Sequence, residues 1–286
     1  MRLAIRSGTS RIAWRVGGWL RSFERWKQER LEAAILPPEA DETMVSGFCY
    51  VCAKESRFPM DTAHAWEERG VRRLNWRERM ICPGCGLNCR MRAAMHLIDR
   101  ILQPGAASAV YATEQVTAFY SHLHKRYPGA VGSEYLGPDF PRGETNDKGL
   151  RHETVEDLSF PDATFDLVIT QDVMEHVAEP VPALNEFCRV LKPGGTLILS
   201  VPFDERSRKT LRRATRRADG SLIHHLPPVY HVDPLDPKGC LVYSDFGWDL
   251  LAMMSRAGFA SSKVISLWSA DYAYFGTRTL YFLARR

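Results

Sequence analysis

Four cysteines stand in two pairs, Cys49–Cys52 and Cys82–Cys85, with 29 residues between the pairs. Each C-x-x-C places two thiols on one turn, where both reach a single ion, and two such turns complete a tetrahedral S4 set suited to Zn²⁺. A site closed by four protein ligands is structural, because it leaves no position for a reacting water. The alternatives are four buried free thiols or a redox pair. Cys89 is a fifth candidate, read here as a small residue that opens the following helix. Two histidines point to a different chemistry. His176 in QDVMEHV and His231 in PPVYHVDP are candidate bases, with Asp233 able to orient His231 and Tyr230 to line a pocket. An imidazole titrates near neutrality and can take a proton from a hydroxyl. His176 also reads as a packing or helix-start residue.

Three stretches must position these groups. Residues 1–45 read as a basic amphipathic helix and linker. Ile12, Val16, Trp19, Phe23 and Trp26 share one helical face flanked by Arg11, Arg15, Arg21 and Arg25, and PPEADE at 37–42 ends it. Residues 46–104 form the cysteine module, which closes on a helical pattern from Met91 to Leu102 before Pro104-Gly105. Residues 105–286 alternate strand-like and helix-like segments. AVYA, AVGSEYL, FDLVIT, TLILSV, KVISLW and RTLYFLA are the strands, and helices fall near 181–192 and 246–257. FDLVIT and TLILSV are short continuous apolar runs, as expected of strands covered on both faces. In the helix between them Leu184, Phe187, Cys188 and Leu191 share one face, Lys192 sits in the last turn, and Pro193-Gly194-Gly195 ends it. The expected fold is α/β, a doubly wound and mostly parallel sheet.

The bulk composition fits that organisation. The chain has 286 residues, 45% hydrophobic and 25% charged, with a net charge of +4. It is long enough for a main domain and a smaller one. No apolar run approaches the ~18 residues that span a bilayer, and the Arg-interrupted start is not a secretory signal, so a cytoplasmic location is expected. Seven cysteines without an export signal fit reduced thiols or metal ligands. Charge is uneven: residues 1–30 carry eight Arg/Lys against two Glu, and RSRKTLRRATRR at 206–217 carries seven with no acid. The second run reads as a solvated face or as a lid for an anionic acceptor. The first reads as a helix packed on the rest of the protein or on a second subunit, or as a peripheral contact with an anionic membrane.

The run SFPDATFDLVITQDVMEHVAEPVPALNEFCRVLKPGGTLILSVPF, residues 159–203, resembles class I S-adenosylmethionine-dependent methyltransferases. FGWDLLAMMSRAGF and RTLYFLARR also fit that family's C-terminal half. The resemblance implies a seven-stranded sheet with an antiparallel final hairpin and the cofactor across the C-terminal edges of the first strands. It also implies a glycine-rich turn after the first strand, yet no glycine lies between Gly105 and Gly129. The family glycines fall on Thr113, Gln115 and Thr117, and the family acid falls on Tyr111. Glu114 lies inside the turn and can supply the negative charge for the cofactor ammonium. Since S-adenosylmethionine has no phosphate, no phosphate-cradling turn is required. Glu134 sits where an acid accepts the ribose hydroxyls, and Thr154 occupies the adenine-facing position. Tyr135, Val155 and Gln171 complete the implied cofactor contacts.

The elements around Trp76-Arg77-Glu78, CPGCGLNCRMR and YHVDP further resemble a bacterial group found beside glycan-assembly enzymes. The expected activity is methyl transfer from S-adenosylmethionine to oxygen on a small-molecule or glycan-like acceptor, with structural zinc. Two other readings stand beside it: a zinc-containing RNA methyltransferase, whose binding would weaken steeply with salt, and a non-catalytic scaffold with a decayed cofactor pocket.

Overall fold

The computed structural model describes residues 3–15, 18–35, 40–68, 70–276 and 279–286. The chain divides into two compact units, one of residues 1–7, 12–104 and 265–280, the other of residues 8–11, 105–264 and 281–286.

The first unit opens with strand β1 (Ala4–Gly8), in a stretch whose sequence reads as helical, followed by helices α1 (Arg11–Arg15) and α2 (Gly18–Ile35). Of the expected apolar stripe, Val16 and the side chain of Trp19 lie outside the described residues. So do the side chains of Arg15 and Arg21 and linker residues 37–39. Ile12, Phe23 and Trp26 are exposed, and the Phe23 and Trp26 rings stack with centroids 5.8 Å apart. Lys27 lies over the Phe23 ring and Arg30 over Trp26, so cations rather than apolar neighbours cover this face.

Strands β2 (Glu42–Cys49) and β3 (Lys54–Asp61) form an antiparallel hairpin with Cys49 opposite Lys54. The hairpin turn carries Cys52 and closes through Ala53 at φ +52°. Helix α3 (Cys89–Leu97) begins at Asn88, whose side chain accepts the Met91 N–H at 2.8 Å.

The C-x-x-C-G-L-N-C-R-M-R stretch has a packing explanation. Asn88 donates to Glu78 at 2.9 Å, and Arg90 forks onto the same carboxylate at 3.0 and 3.2 Å. Arg92 is fully buried, donates to the Tyr272 and Ala273 carbonyls at 2.9 and 3.2 Å, and lies over the Phe58 ring. Glu78 of Trp76-Arg77-Glu78 is thus the partner that the asparagine and the first arginine require, since buried charge must be paired.

The second unit holds β4 (Val110–Ala112), α4 (Ala118–Arg126), β5 (Val131–Gly132), β6 (Phe165–Gln171), α5 (Pro180–Val190), β7 (Leu191–Ser200) and α6 (Asp249–Arg256). β8 (Ser261–Trp268) and β9 (Leu280–Arg285) finish the chain's regular structure. The main sheet has seven strands in the order β1-β8-β9-β7-β6-β4-β5. β4 pairs in parallel with both β5 and β6, β6 pairs in parallel with β7, and β9 runs antiparallel to β7. The sheet is the expected mostly parallel one, with β1 as its seventh strand.

Leu167 to Gln171 and Leu197 to Ser200 are all buried, as expected of central strands covered on both faces. α5 starts on Pro180, where the missing N–H costs nothing. It ends one residue before Leu191, which already belongs to β7. Lys192 therefore lies in the strand rather than the last helical turn, and it pairs with Asp166 at 2.8 Å. Between β7 and α6 three short antiparallel pairs organise the insert: Leu211–Arg212 with Ser244–Asp245, Ala214–Arg216 with Leu222–His224, and Tyr230–His231 with Cys240–Leu241. No helix among the described residues is long and apolar enough to cross a membrane.

Candidate active site

The glycine-free turn after β4 is closed by side chains. Glu134 Oε1 accepts the backbone N–H groups of Gln115 at 2.6 Å and Val116 at 2.8 Å. The Gln115 side chain bridges the Gly149 carbonyl and the Arg151 N–H, both at 2.9 Å. Glu114 is buried inside the turn, accepting from the Thr117 hydroxyl at 2.5 Å and from Gln171 at 3.1 Å. Thr117 then caps α4 by accepting the Tyr120 N–H. Thr113 donates its hydroxyl to Thr170 at 2.9 Å. Close approach falls instead on Gly132 in β5: a Cβ there would come within 2.6 Å of the Tyr120 ring and 2.7 Å of the Glu114 carbonyl.

The structure therefore brings Thr113, Glu114, Gln171 and Glu134 together at the ends of β4, β5 and β6. Burial raises the Glu134 carboxyl above its ordinary range, against the two N–H groups that lower it. Tyr111 is different: it is fully buried, its hydroxyl bonded to Ser133 at 2.7 Å and its ring stacked on Phe165, so it has no surface to offer a ligand. Tyr135 is 55% exposed beside His152. Thr154 and Val155 are half-buried in a turn where the Thr154 carbonyl accepts the Asp157 N–H.

Beyond β6 a second cluster forms. His176 and His231 stand edge to face with ring centroids 5.0 Å apart. Between them lies Glu175, which the sequence reading did not single out. Its carboxylate is fully buried, 3.8 Å from His176 Nε2 and 3.6 Å from His231 Nδ1. Neither Glu175 oxygen is hydrogen-bonded. Burial raises its carboxyl, and the neighbouring carboxylate in turn raises the His231 imidazole. His176 Nδ1 lies 2.9 Å from the Leu241 carbonyl. Asp233 is engaged elsewhere, accepting the Leu235 N–H and the Cys240 thiol, both at 2.7 Å. The one signal for Glu175 in the sequence is its place directly before His176.

In the other unit the four expected cysteines converge. Cys49, Cys52, Cys82 and Cys85 have all sulfurs within 4.8 Å of one another, with Cys49–Cys85 and Cys52–Cys82 at 3.8 Å. A tetrahedral zinc with bonds of about 2.3 Å spaces its sulfurs about 3.8 Å apart, so the residues present fit that ion. Cys89 points away, to the Ala273 and Phe275 carbonyls.

Three arginines of the basic run are matched by acids: Arg212 with Glu179 at 3.2 Å, Arg213 with Asp245 at 2.6 Å and Arg216 with Glu156 at 3.1 Å.

Residues 121–199 match the methyltransferase domain family. This stretch resembles that family's domain. It contains Glu134, Gln171, Glu175 and His176, whereas the turn from Tyr111 to Thr117 and His231 lie outside it. An uncharacterized methyltransferase of Schizosaccharomyces pombe is 48% identical over 50 residues, 18% of each chain. A ubiquinone biosynthesis O-methyltransferase of Roseobacter denitrificans is 42% identical over 128 residues, covering 41% of this chain and 46% of the relative. The chain thus spans less than half the length of either relative. Among solved structures, a Burkholderia thailandensis 1,6-didemethyltoxoflavin-N1-methyltransferase with bound S-adenosylhomocysteine aligns over 69% of this chain and 78% of its own, with 15% identity and a TM-score of 0.42.

Proposed function

We propose that this protein transfers the methyl group of S-adenosylmethionine to a hydroxyl of a small-molecule or glycan-like acceptor. The observation that carries this reading is the buried Glu175 between two imidazoles, within and beside the stretch that resembles a methyltransferase domain. Methyl transfer from a sulfonium already has a good leaving group, so the protein has to align the partners, exclude water and remove the hydroxyl proton. The Glu175–His176–His231 cluster is the place for that proton to go. As the O–H bond breaks there, the oxygen lone pair forms the new C–O bond. The S–CH₃ bond breaks with its electrons on sulfur, leaving S-adenosylhomocysteine.

The cofactor's positive end would face Glu114, with Glu134, Thr154 and Val155 along its nucleoside and Gln171 and Thr113 closing the floor. A structural Zn²⁺ held by Cys49, Cys52, Cys82 and Cys85 would brace the other unit. The ion pairs of Arg212, Arg213 and Arg216 weigh against a phosphate-gripping, RNA-directed role, because matched arginines release few counterions.

Calorimetric titration with S-adenosylmethionine, followed by a screen of phenolic and sugar hydroxyls for S-adenosylhomocysteine release, tests the reading. Micromolar cofactor binding with acceptor-dependent turnover is expected. No heat at millimolar cofactor would leave only the scaffold.

A further inference from the structure

Glu175, His176 and His231 each present one ligand atom, and these atoms lie within 4.8 Å of one another. Glu175 is 0% exposed and both its oxygens lack a hydrogen-bond partner. A buried carboxylate costs several kcal/mol unless it is paired, and two imidazoles at ion-pair distance are the groups placed to offset it. The two imidazole nitrogens, at 3.6 and 3.8 Å, are too far to do so by hydrogen bonding. They are at the spacing of ligands slightly parted. Around an ion with bonds of about 2.1 Å, neighbouring ligand atoms stand roughly 3.0 Å apart in an octahedron and about 3.4 Å in a tetrahedron. Movement of the two imidazoles toward Glu175 would close the set.

A second observation concerns orientation. His176 Nδ1 sits 2.9 Å from the Leu241 carbonyl, an acceptor only, so Nδ1 carries the proton and Nε2 turns its lone pair toward Glu175. A ring nitrogen freed in this way, with the other N–H tied to a carbonyl, is how proteins hold a metal-ligating histidine. Leu241 belongs to the short strand pair that also carries His231, so one hairpin supplies both a ligand and the group that aims the other imidazole.

We propose that Glu175, His176 and His231 bind a divalent first-row transition ion through one carboxylate and two imidazoles, leaving coordination positions open to water or an acceptor hydroxyl. Binding itself needs no cofactor. Its role rests on the proposed methyl transfer: a cation lowers the pKa of an oxygen it holds, so with the ion bound the hydroxyl proton leaves to solvent water and the three side chains act as ligands in place of the base. Carboxylate and imidazole together suit Mn²⁺, Fe²⁺ and Zn²⁺, whereas the four-thiolate site selects zinc and not a hard ion such as Mn²⁺.

The test uses the full chain without S-adenosylmethionine. Zinc per chain is measured after loading and desalting, and Mn²⁺ is titrated into protein whose thiolate site is zinc-filled, read by loss of the free Mn²⁺ resonance and by imidazole nitrogen couplings. Two zinc equivalents, or one Mn²⁺ with nitrogen couplings, are expected. His231→Gln should remove one zinc equivalent and weaken Mn²⁺ at least tenfold. His176→Gln should do the same, and the exposed Asp219→Asn should do neither. The half-exposed His231 keeps the test usable if Glu175→Gln fails to fold. A single zinc with no Mn²⁺ bound overturns the proposal, as does a second ion that survives both histidine substitutions. Either result is independent of whether the cofactor binds.

Discussion

Glu134 Oε1 receives two consecutive backbone N–H groups, those of Gln115 at 2.6 Å and Val116 at 2.8 Å, and so pins a turn that contains no glycine. Glu134→Ala leaves both donors without their acceptor, at about 1–3 kcal/mol for each that stays dry. The expected outcome is at least a tenfold weaker S-adenosylmethionine affinity by calorimetry, with a lower melting temperature. Unchanged affinity would mean that the turn keeps its shape without Glu134.

Gly132 has no room for a side chain. Gly132→Ala puts a methyl against the Tyr120 ring and the Glu114 carbonyl. Overpacking of this kind costs about 1–3 kcal/mol. A thermal melt should show it, while Gly129→Ala, with nothing within 4 Å, should be silent.

His231→Ala is expected to lower the methyl-transfer rate about 10²-fold or more. Asp233→Asn should leave the rate near that of the parent, because the Asp233 carboxylate is bonded to Leu235 and Cys240 and not to His231. Equal losses in both variants would return Asp233 to an orienting role.

Cys82→Ser should remove one equivalent of zinc and lower the melting temperature, as should a strong chelator acting on the parent protein. Structural zinc contributes directly to folding. A melt indifferent to chelation would leave the four thiols as ordinary core residues.

His96 links acidity to stability. It is buried with its ring stacked 4.0 Å from Tyr50, and burial lowers its pKa to about 4. The unfolded chain, with an ordinary imidazole near 6.5, binds a proton that the folded one refuses between those values. The favourable contribution is therefore present above about pH 6.5 and fades as the pH falls toward 4. Melting curves across that window should flatten in His96→Phe, which keeps the stacked ring without the titration. An identical pH slope in both proteins would assign the acid sensitivity elsewhere.

The cysteine module was legible because its spacing is a statement about geometry: two thiols per turn and two turns per ion. The central strands were legible as well, since FDLVIT and TLILSV admit no amphipathic alternative. β1 was not, because a five-residue strand containing Arg6 next to helical Arg11–Arg15 has no period of its own. The α5–β7 boundary was misplaced by the usual weight of Pro-Gly-Gly, although Leu191 leaves the helix before the proline.

Glu134 and Glu114 were recognisable as acids near the turn. Which backbone groups they would hold depended on a loop fold that no local pattern encodes. Glu175 escaped attention because acids beside histidines are common, and its burial depends on the later insert that carries His231 and Leu241. Arg90 and Arg92 stand in the CPGCGLNCRMR element, and only the folded chain shows that Glu78 and the Tyr272–Ala273 carbonyls are their partners.

The unit that contains the four cysteines draws on residues 265–280 as well as on 12–104. On the ribosome, Arg92 and Cys89 are synthesised long before the carbonyls of Tyr272, Ala273 and Phe275 that receive them. A nascent chain halted after Val264 would carry a guanidinium prepared for burial without the Tyr272 and Ala273 carbonyls among its acceptors. Completion of this unit is thus tied to the late stages of translation, and any metal captured early would be held by a module still open on one side.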